Sequence, residues 1–365
     1  MIAEKAAYRD FRNIKEENIT FSDGVNIICG DNAQGKTNAL EGIYIMAGCR
    51  SHRAAKDAEM IAFGKESADI TLVYEGGGRE NELFMRLAAG KKRICRKNGL
   101  TLGKTSEFIG NFRAVLFTPE HLSIIKSGPS ERRLFVDSAL CQIYPKYTAA
   151  LQGVSRTLLQ RNKILRLVSE EKITAKDADT NIEVWSEELA KFSETVSKMR
   201  FDYVRRLSEY VKIFFEEMTG GRESAEISAE EPKSAAEFLE IMKKDYEKEK
   251  ILGTTLHGVH KDDISVKLNS LAVRAYGSQG QQRSCALAMK LAEGEISKEI
   301  CGEYPVFLLD DILSELDEKR KEYIVKGLTG RQVIITACTK DEKIFGKNAE
   351  NTKVICCENG VYTEI

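Results

Sequence analysis

Apolar positions fall into three successive rhythms along the chain. Up to residue 117 they alternate with polar ones or form short unbroken blocks, the pattern of strands. Residues 19–21, a Ser22-Asp23-Gly24 turn and residues 25–28 predict a hairpin that closes a strand-rich entry and leads into the next segment. Residues 69–75 alternate around Ile70, Leu72 and Tyr74, Gly76-Gly77-Gly78 turns the chain, and residues 82–87 supply a partner strand. A basic strand over 91–97 turns at Asn98-Gly99 into 100–102, and residues 114–117 form one more strand. From 130 to 250 the period becomes helical. Leu151, Val154, Leu158, Leu165 and Val168 share one face. A longer stripe runs through Ile182, Trp185, Leu189, Phe192, Val196, Met199, Tyr203, Leu207, Tyr210, Phe214 and Met218. Its steps of three and four predict a single long amphipathic helix, stopped at Gly220-Gly221. Ser234 and Glu237 form a capping box ahead of a further helix carrying Phe238, Leu239, Met242 and Tyr246. After Ile251 strands return: 264–268 and 271–275 about Asn269-Ser270, buried runs at 306–309 and 333–336, and a closing hairpin about Asn359-Gly360. The pattern predicts an α/β head made of residues 1–118 plus 252–365, split in sequence by a helical arm over 119–251.

Composition narrows the class. With 365 residues, 42% of them hydrophobic, the chain can bury a sizeable core in two domains or in one with a large insertion. Its net charge of −1 provides no global basic field, so any nucleic-acid contact must be a local patch. No apolar segment after Met1 has the form of a signal peptide, and no run approaches the length of a membrane span. Nine cysteines, scattered and without a C-x-x-C pair, fit a reduced, cytoplasmic compartment. The four histidines show no zinc spacing with them.

Candidate chemistry begins at 25–42. A short apolar run enters Gly30-Asp31-Asn32-Ala33-Gln34-Gly35-Lys36-Thr37-Asn38 and then a helix-forming segment. Gly30-x-x-x-x-Gly35-Lys36-Thr37 is the phosphate-loop spacing. Its glycines let backbone N–H groups converge on phosphate oxygens, and the helix N-terminus adds a favourable dipole. Lys36 is expected to reach the β- and γ-phosphates, and Thr37 to place its hydroxyl on Mg²⁺. Such a loop needs an acidic partner. Val306-Phe307-Leu308-Leu309 ending in Asp310 is the pattern of a buried strand that delivers a carboxylate beside Thr37. Asp311 follows as a candidate general base for water. Most of the chain separates Lys36 from Asp310, and the helical segment fills that gap. Ser278-Gln279-Gly280-Gln281 reads as a capped helix start, and in one class of ATPase such a start meets the γ-phosphate held by a second protomer.

Taken in order, the motifs resemble the RecF family, a branch of the head-split ATPases that include the SMC proteins and are related to ABC-type ATPases. The stretches are Tyr8-Arg9-Asp10-Phe11-Arg12-Asn13, the phosphate loop, Ser51-His52-Arg53, Thr118-Pro119-Glu120, Gly128-Pro129-Ser130-Glu131-Arg132-Arg133, Gly258-Val259-His260-Lys261-Asp262-Asp263, Tyr276 to Arg283, and Leu308 to Asp317. The arm is too short for the coiled coils of SMC proteins. The resemblance implies an ATP-dependent DNA-binding protein of recombinational repair and replication restart. It implies a homodimer closed by ATP that binds double-stranded DNA and junctions with single strands, and that helps load RecA together with RecO and RecR. Slow hydrolysis would serve as the release switch. In the same reading Ser278, Gly280 and Gln281 face nucleotide held by the other protomer's Gly30, Asn32, Gly35, Lys36, Thr37 and Asn38. Arg12, Asn13 and Arg53 lie near it, Thr37 and Asp310 hold Mg²⁺, and Asp311 positions water.

Two departures stand out. No histidine follows the strand at 333–335, where Thr336-Ala337-Cys338-Thr339 stands instead, and Thr118-Pro119-Glu120 replaces a glutamine at the entry to the arm. Basic candidates for DNA are Lys91, Lys92 and Arg93 with Arg96 and Lys97, then Arg132 and Arg133, then Arg156, Arg161, Lys163 and Arg166. A nucleotide-gated nuclease or a transporter ATPase subunit are the competing readings. Asp262-Asp263 is the only spare carboxylate pair for the former, and the long gap between loop and Asp310 argues against the latter.

Overall fold

The computed structural model describes residues 1–338 and 351–365. Contacts divide the chain into two compact units. The first comprises Met1–Ser123, Tyr210–Ser224 and Ser278–Ile365. Its first strands are β1 (Ile2–Phe11), β2 (Ile14–Thr20) and β3 (Val25–Cys29), followed by helix α1 (Lys36–Gly48). Then come β4 (Ser67–Gly76), β5 (Arg79–Ala88), β6 (Ile94–Lys97), β7 (Leu100–Thr101) and β8 (Ala114–Phe117). Strands β2-β1-β4-β5-β6-β7 form an antiparallel six-stranded sheet. The basic strand expected over 91–97 begins only at Ile94, after a bend at 91–93 where Arg93 turns to bind Asp57.

The second unit comprises Ile124–Glu209 and Ala225–Gly277. Its helices are α2 (Ser123–Lys126), α3 (Pro129–Ile143), α4 (Pro145–Ser169) and the N-terminal part of the 45-residue α5 (Ala175–Thr219). The stripe read from the sequence lies in α5, with Ile182, Leu189, Val196, Tyr203 and Leu207 all buried. Beyond them the chain forms β9 (Ala225–Ala229), α6 (Ala235–Lys244), α7 (Tyr246–Leu252), β10 (Ile264–Leu268), β11 (Leu271–Ala272) and α8 (Val273–Tyr276). The capping box on α6 is present, with Ser234 Oγ accepting from the Glu237 N–H. β9 pairs with β10 over five residues, which ties the segment around 264 to the helices by a backbone ladder. The strand expected over 271–275 stops after two residues. Val273, 1% exposed, turns into the interior there and the chain winds into α8. Within this unit Arg161 is 1% exposed and fully partnered, by Glu249 at 2.5 Å, Ser186 and Thr255. A charge this deep persists only when paired and hydrogen-bonded, so Arg161 is an internal tie and not a surface cation.

The chain returns to the first unit through α9 (Gln279–Cys301), β12 (Val306–Leu309), α10 (Glu318–Gly327), β13 (Val333–Ala337), β14 (Thr352–Glu358) and β15 (Val361–Glu364). The second six-stranded sheet has the order β15-β14-β3-β13-β12-β8, parallel except for the β14–β15 hairpin. β3 pairs with β13 and β14 rather than with β2, so residues 22–24 cross between sheets instead of closing the expected hairpin. Helix α1 lies between the two sheets. Leu40, Ile43, Ile45 and Met46 are all fully buried there, and each such side chain contributes about 1.5–3 kcal/mol. The other face of the parallel sheet is covered by Leu287 and Leu291 of α9, by Ile324 of α10, and by Phe214 and Met218 of α5. No helix among the described residues is long and apolar enough to cross a membrane.

Candidate functional site

Strand order positions the chemistry. β3 leads into the phosphate loop and β12 ends at Asp310, with β13 between them. In a parallel sheet the carboxyl ends of adjacent strands open on one crevice. Thr37 Oγ1 donates to Asp310 Oδ1 at 2.8 Å, and Thr336 Oγ1 from β13 donates to the same oxygen at 2.8 Å. Residues 273 positions apart in sequence therefore meet as the motifs anticipate. Burial pushes the Asp310 carboxyl above its usual range, against the lowering effect of the two hydroxyls. A cation beside it would offset that cost, and hard oxygen donors of this kind suit Mg²⁺. No cluster of three or more His, Cys, Asp or Glu side chains with metal-site geometry exists among the described residues. Any such ion would therefore draw on Thr37, Asp310, water and phosphate oxygens. Asp311 sits in the left-handed region at φ 49°, and its N–H donates to Thr336 Oγ1 at 2.9 Å.

The loop is held from several sides. Gly30 and Gly35 have φ of 154° and 121°. A Cβ at Gly30 would stand 2.2 Å from the Cys357 carbonyl oxygen, and one at Gly35 2.8 Å from Asn13 Oδ1, so neither position accepts a side chain. Lys36 Nζ donates to Gly30 O at 2.6 Å and Asp31 O at 2.9 Å. Asn13 bridges the loop by donating to Gln34 O and accepting from Asn38 Nδ2. Arg53 donates to Asn38 Oδ1 at 3.0 Å. Arg12 is clamped by both oxygens of Glu41, at 2.9 and 2.7 Å. Burial alone would raise the Glu41 pKa, but hydrogen bonds from Arg12 and Ser51 and the Arg12 charge hold it low. Arg12, Asn13, Arg53 and Asn38 thus form one connected rim, with Glu41 as its anchor.

Several participants carry no sequence signature. The C-terminal hairpin buttresses the loop: Tyr362 donates to Gly35 O, Gly360 N–H to Gln34 O, and Asn359 N–H to Gln34 Oε1. Cys338, just after β13 in the stretch without a histidine, holds its Sγ 3.1 Å from Asn32 Oδ1 and 4.0 Å from Lys36 Nζ. Thr339 lies outside the described residues. His121 takes the Thr118 N–H on Nδ1 at 2.7 Å, at the end of β8. His52 lies beside this rim, and burial lowers it to about 4, so its ring is neutral at pH 7.

Ser278 caps α9: its Oγ accepts from the Gln281 N–H, and its own N–H donates to Gln281 Oε1. Gln281 is held in turn by Glu223, and Gly280 O accepts from Arg320 at 3.0 Å. Ser278 is exposed, and the hydrogen bonds of Ser278, Gly280 and Gln281 do not reach the phosphate loop of the same chain.

The DNA candidates divide sharply. Lys91 and Lys92 are exposed. Arg93 instead holds Asp57 with two nitrogens and donates to Cys49 O. Arg132 is 5% exposed and bidentate on Asp263, and Arg133 donates to Asp262 O. These three guanidiniums serve internal carboxylates and carbonyls.

Comparisons with known proteins extend over nearly the whole chain. The family model described as the RecF/RecN/SMC N terminal domain matches residues 3–363. The chain is similar to the DNA replication and repair protein RecF of Lachnoclostridium phytofermentans, 37% identical over 354 residues and covering 97% of each chain. It is 36% identical over 370 residues to the RecF protein of Acetivibrio thermocellus, covering 99% of each. Among solved structures, the recombination mediator protein RecF with ATP, from the RecFOR pathway, aligns with a TM-score of 0.91 and 31% identity, covering 100% of this chain and 97% of that one. An Smc head domain from Pyrococcus furiosus, at TM-score 0.58 and 18% identity, shares the fold.

Proposed function

The chain belongs to the RecF family, and from that membership we propose that it is an ATP-gated DNA-binding switch of recombinational repair and replication. The observation that carries this reading is the junction of Thr37 with Asp310 at 2.8 Å, while Ser278 stands exposed and unattached to that junction. One chain then supplies a complete phosphate cradle and metal-binding pair, together with a helix start that serves a second copy.

Each residue has a defined task in this reading. The N–H groups of 30–37 and the Lys36 ammonium bind the phosphates, after Lys36 exchanges its carbonyl partners for phosphate oxygens. Thr37 and Asp310 hold Mg²⁺, which when bound neutralises phosphate charge. Asp311 accepts the proton of the attacking water. Ser278 and the α9 N-terminus of the partner close the site, so nucleotide bridges two heads. ATP then acts through differential affinity for the paired state, and hydrolysis releases it. Double-stranded DNA and its junctions with single strands are the proposed ligands of the pair, and RecR, with RecO, the proposed route to RecA loading. The RecF–ATP structure and the repair proteins named above support ATP and DNA as ligands.

Measuring DNA binding and oligomeric state together, with and without ATP, tests the reading. Wild type should dimerise and bind DNA only with ATP, and Lys36→Arg should do neither. A Lys36→Arg chain that behaves as wild type sinks the proposal. A second check uses Cys338, which follows β13 and touches Asn32 of the loop. ATP at ten times its Kd should slow iodoacetamide labelling of Cys338 by about tenfold, read by peptide mass spectrometry. Labelling of Cys301, on α9 and outside the crevice, should not change.

A further inference from the structure

The antiparallel sheet has one face on the core and one in solvent. At its β5–β6–β7 edge the solvent face is built unlike an ordinary solvated strand surface. Along β5 the outward residues are Glu82, Phe84 and Arg86, and along β6 they are Ile94 and Arg96. The register sets Phe84 opposite Arg96 and Arg86 opposite Ile94. Two guanidiniums flank one ring: Arg96 lies 5.1 Å from the Phe84 centroid and Arg86 5.9 Å. Stacking of this kind holds a guanidinium flat and leaves its N–H edge free for an anion.

Charge on this edge is not balanced locally. Arg86 is neutralised by Asp69 through a bidentate pair at 2.6 and 2.7 Å. Arg96, Lys91 and Lys92 are exposed and have no carboxylate partner among the described residues. Arg93 is turned away onto Asp57, and Glu82 sits at the opposite end of the β5 stretch, with its N–H on Asn98. Apolar surface accompanies the cations, since Ile94, on the same face as Arg96, is 40% exposed. In a chain of net charge −1, two unpaired lysines beside an unpaired, aromatic-stacked Arg96 form a local anion-binding surface.

We propose that this face is the contact for DNA, with Lys91, Lys92 and Arg96 on backbone phosphates and Ile94 against the sugars. The assignment rests on the DNA-binding reading above and gives that reading a place on the molecule. Contacts to phosphates and sugars carry no base information, so binding is sequence-independent and governed by phosphate charge. Arg132 and Arg93 take no part, because all three nitrogens of each guanidinium are already spent.

The test is the full-length chain with Lys91→Glu, Lys92→Glu and Arg96→Glu together, measured against a blunt duplex and a duplex with a single-stranded tail, with ATP, across a salt series. All three positions are exposed, and retained ATP-dependent dimerisation reports an intact head. Affinity should fall at least about tenfold at low salt, and the log–log salt slope should flatten by about 2.7, at roughly 0.9 per lost phosphate contact. A control with Lys163→Glu, Arg166→Glu and Arg205→Glu makes the same charge change on exposed positions of the other unit. Its slope should match wild type. Equal loss in the control, or an unchanged slope in the sheet-edge variant while wild type binds, overturns the surface. If wild type itself binds no DNA in any nucleotide state, the DNA reading falls first and the surface with it.

Discussion

Ser278→Arg should bind nucleotide with near wild-type affinity and fail to dimerise when ATP is present. The phosphate loop does not use Ser278: its hydrogen bonds go to Gln281 within the same helix start. The side chain is exposed, so an arginine there meets no core and displaces no loop residue. What it does is place a long cation on the surface proposed to meet the partner's γ-phosphate. The substitution also deletes an N-cap, which costs about 1 kcal/mol and lowers Tm by a few degrees. Helix α9 tolerates that loss because fourteen of its residues are buried. Ser278→Ala separates the two effects, since it loses the same cap without adding bulk. Ultracentrifugation with and without ATP, beside an equilibrium binding curve, gives the answer. A Ser278→Arg chain that still pairs normally with ATP would exclude the two-headed site.

How much of this was legible beforehand follows from where each signal resides. Gly30 to Thr37 and the apolar run ending in Asp310 are local patterns, and the meeting of Thr37 with Asp310 follows from what parallel sheets do with strand ends. The capping boxes at Ser234 and Ser278 were equally readable, because a cap is written in four consecutive residues. Thr336, Tyr362, Glu41 and Arg320 were not. Each is a single common residue whose role comes only from its position in the fold. Tyr362, for instance, reaches Gly35 from 327 positions away. Arginines present the complementary case: nothing in Arg132-Arg133 tells a solvated cation from one that, like Arg132, holds Asp263. The 271–275 strand failed where a buried Val273 outweighed alternation.

Asp311→Asn should leave ATP binding and dimerisation in place while lowering hydrolysis by about 10²–10⁴, the usual contribution of a positioned general base. The backbone favours this substitution as a clean probe. Asp311 occupies the left-handed region at φ 49°, which asparagine adopts as readily as aspartate, so no strain is introduced. Its N–H bond to Thr336 Oγ1 depends on the main chain and survives. Asp310 offers the contrast. It is buried and accepts from Thr37 and Thr336 on one oxygen, so Asp310→Asn removes charge at the metal position and should weaken Mg²⁺-dependent nucleotide binding itself. The two neighbours therefore separate binding from turnover. In the proposed switch, slower hydrolysis at Asp311→Asn lengthens the life of the ATP dimer and of its DNA complex by the same factor. Single-turnover hydrolysis and dimer dissociation, followed after ATP is diluted away, should slow in parallel. Wild-type turnover in Asp311→Asn would move the base elsewhere in the crevice. Slowed turnover with unaltered dimer lifetime would uncouple hydrolysis from release and leave the protein a nucleotide-bound clamp opened by another step.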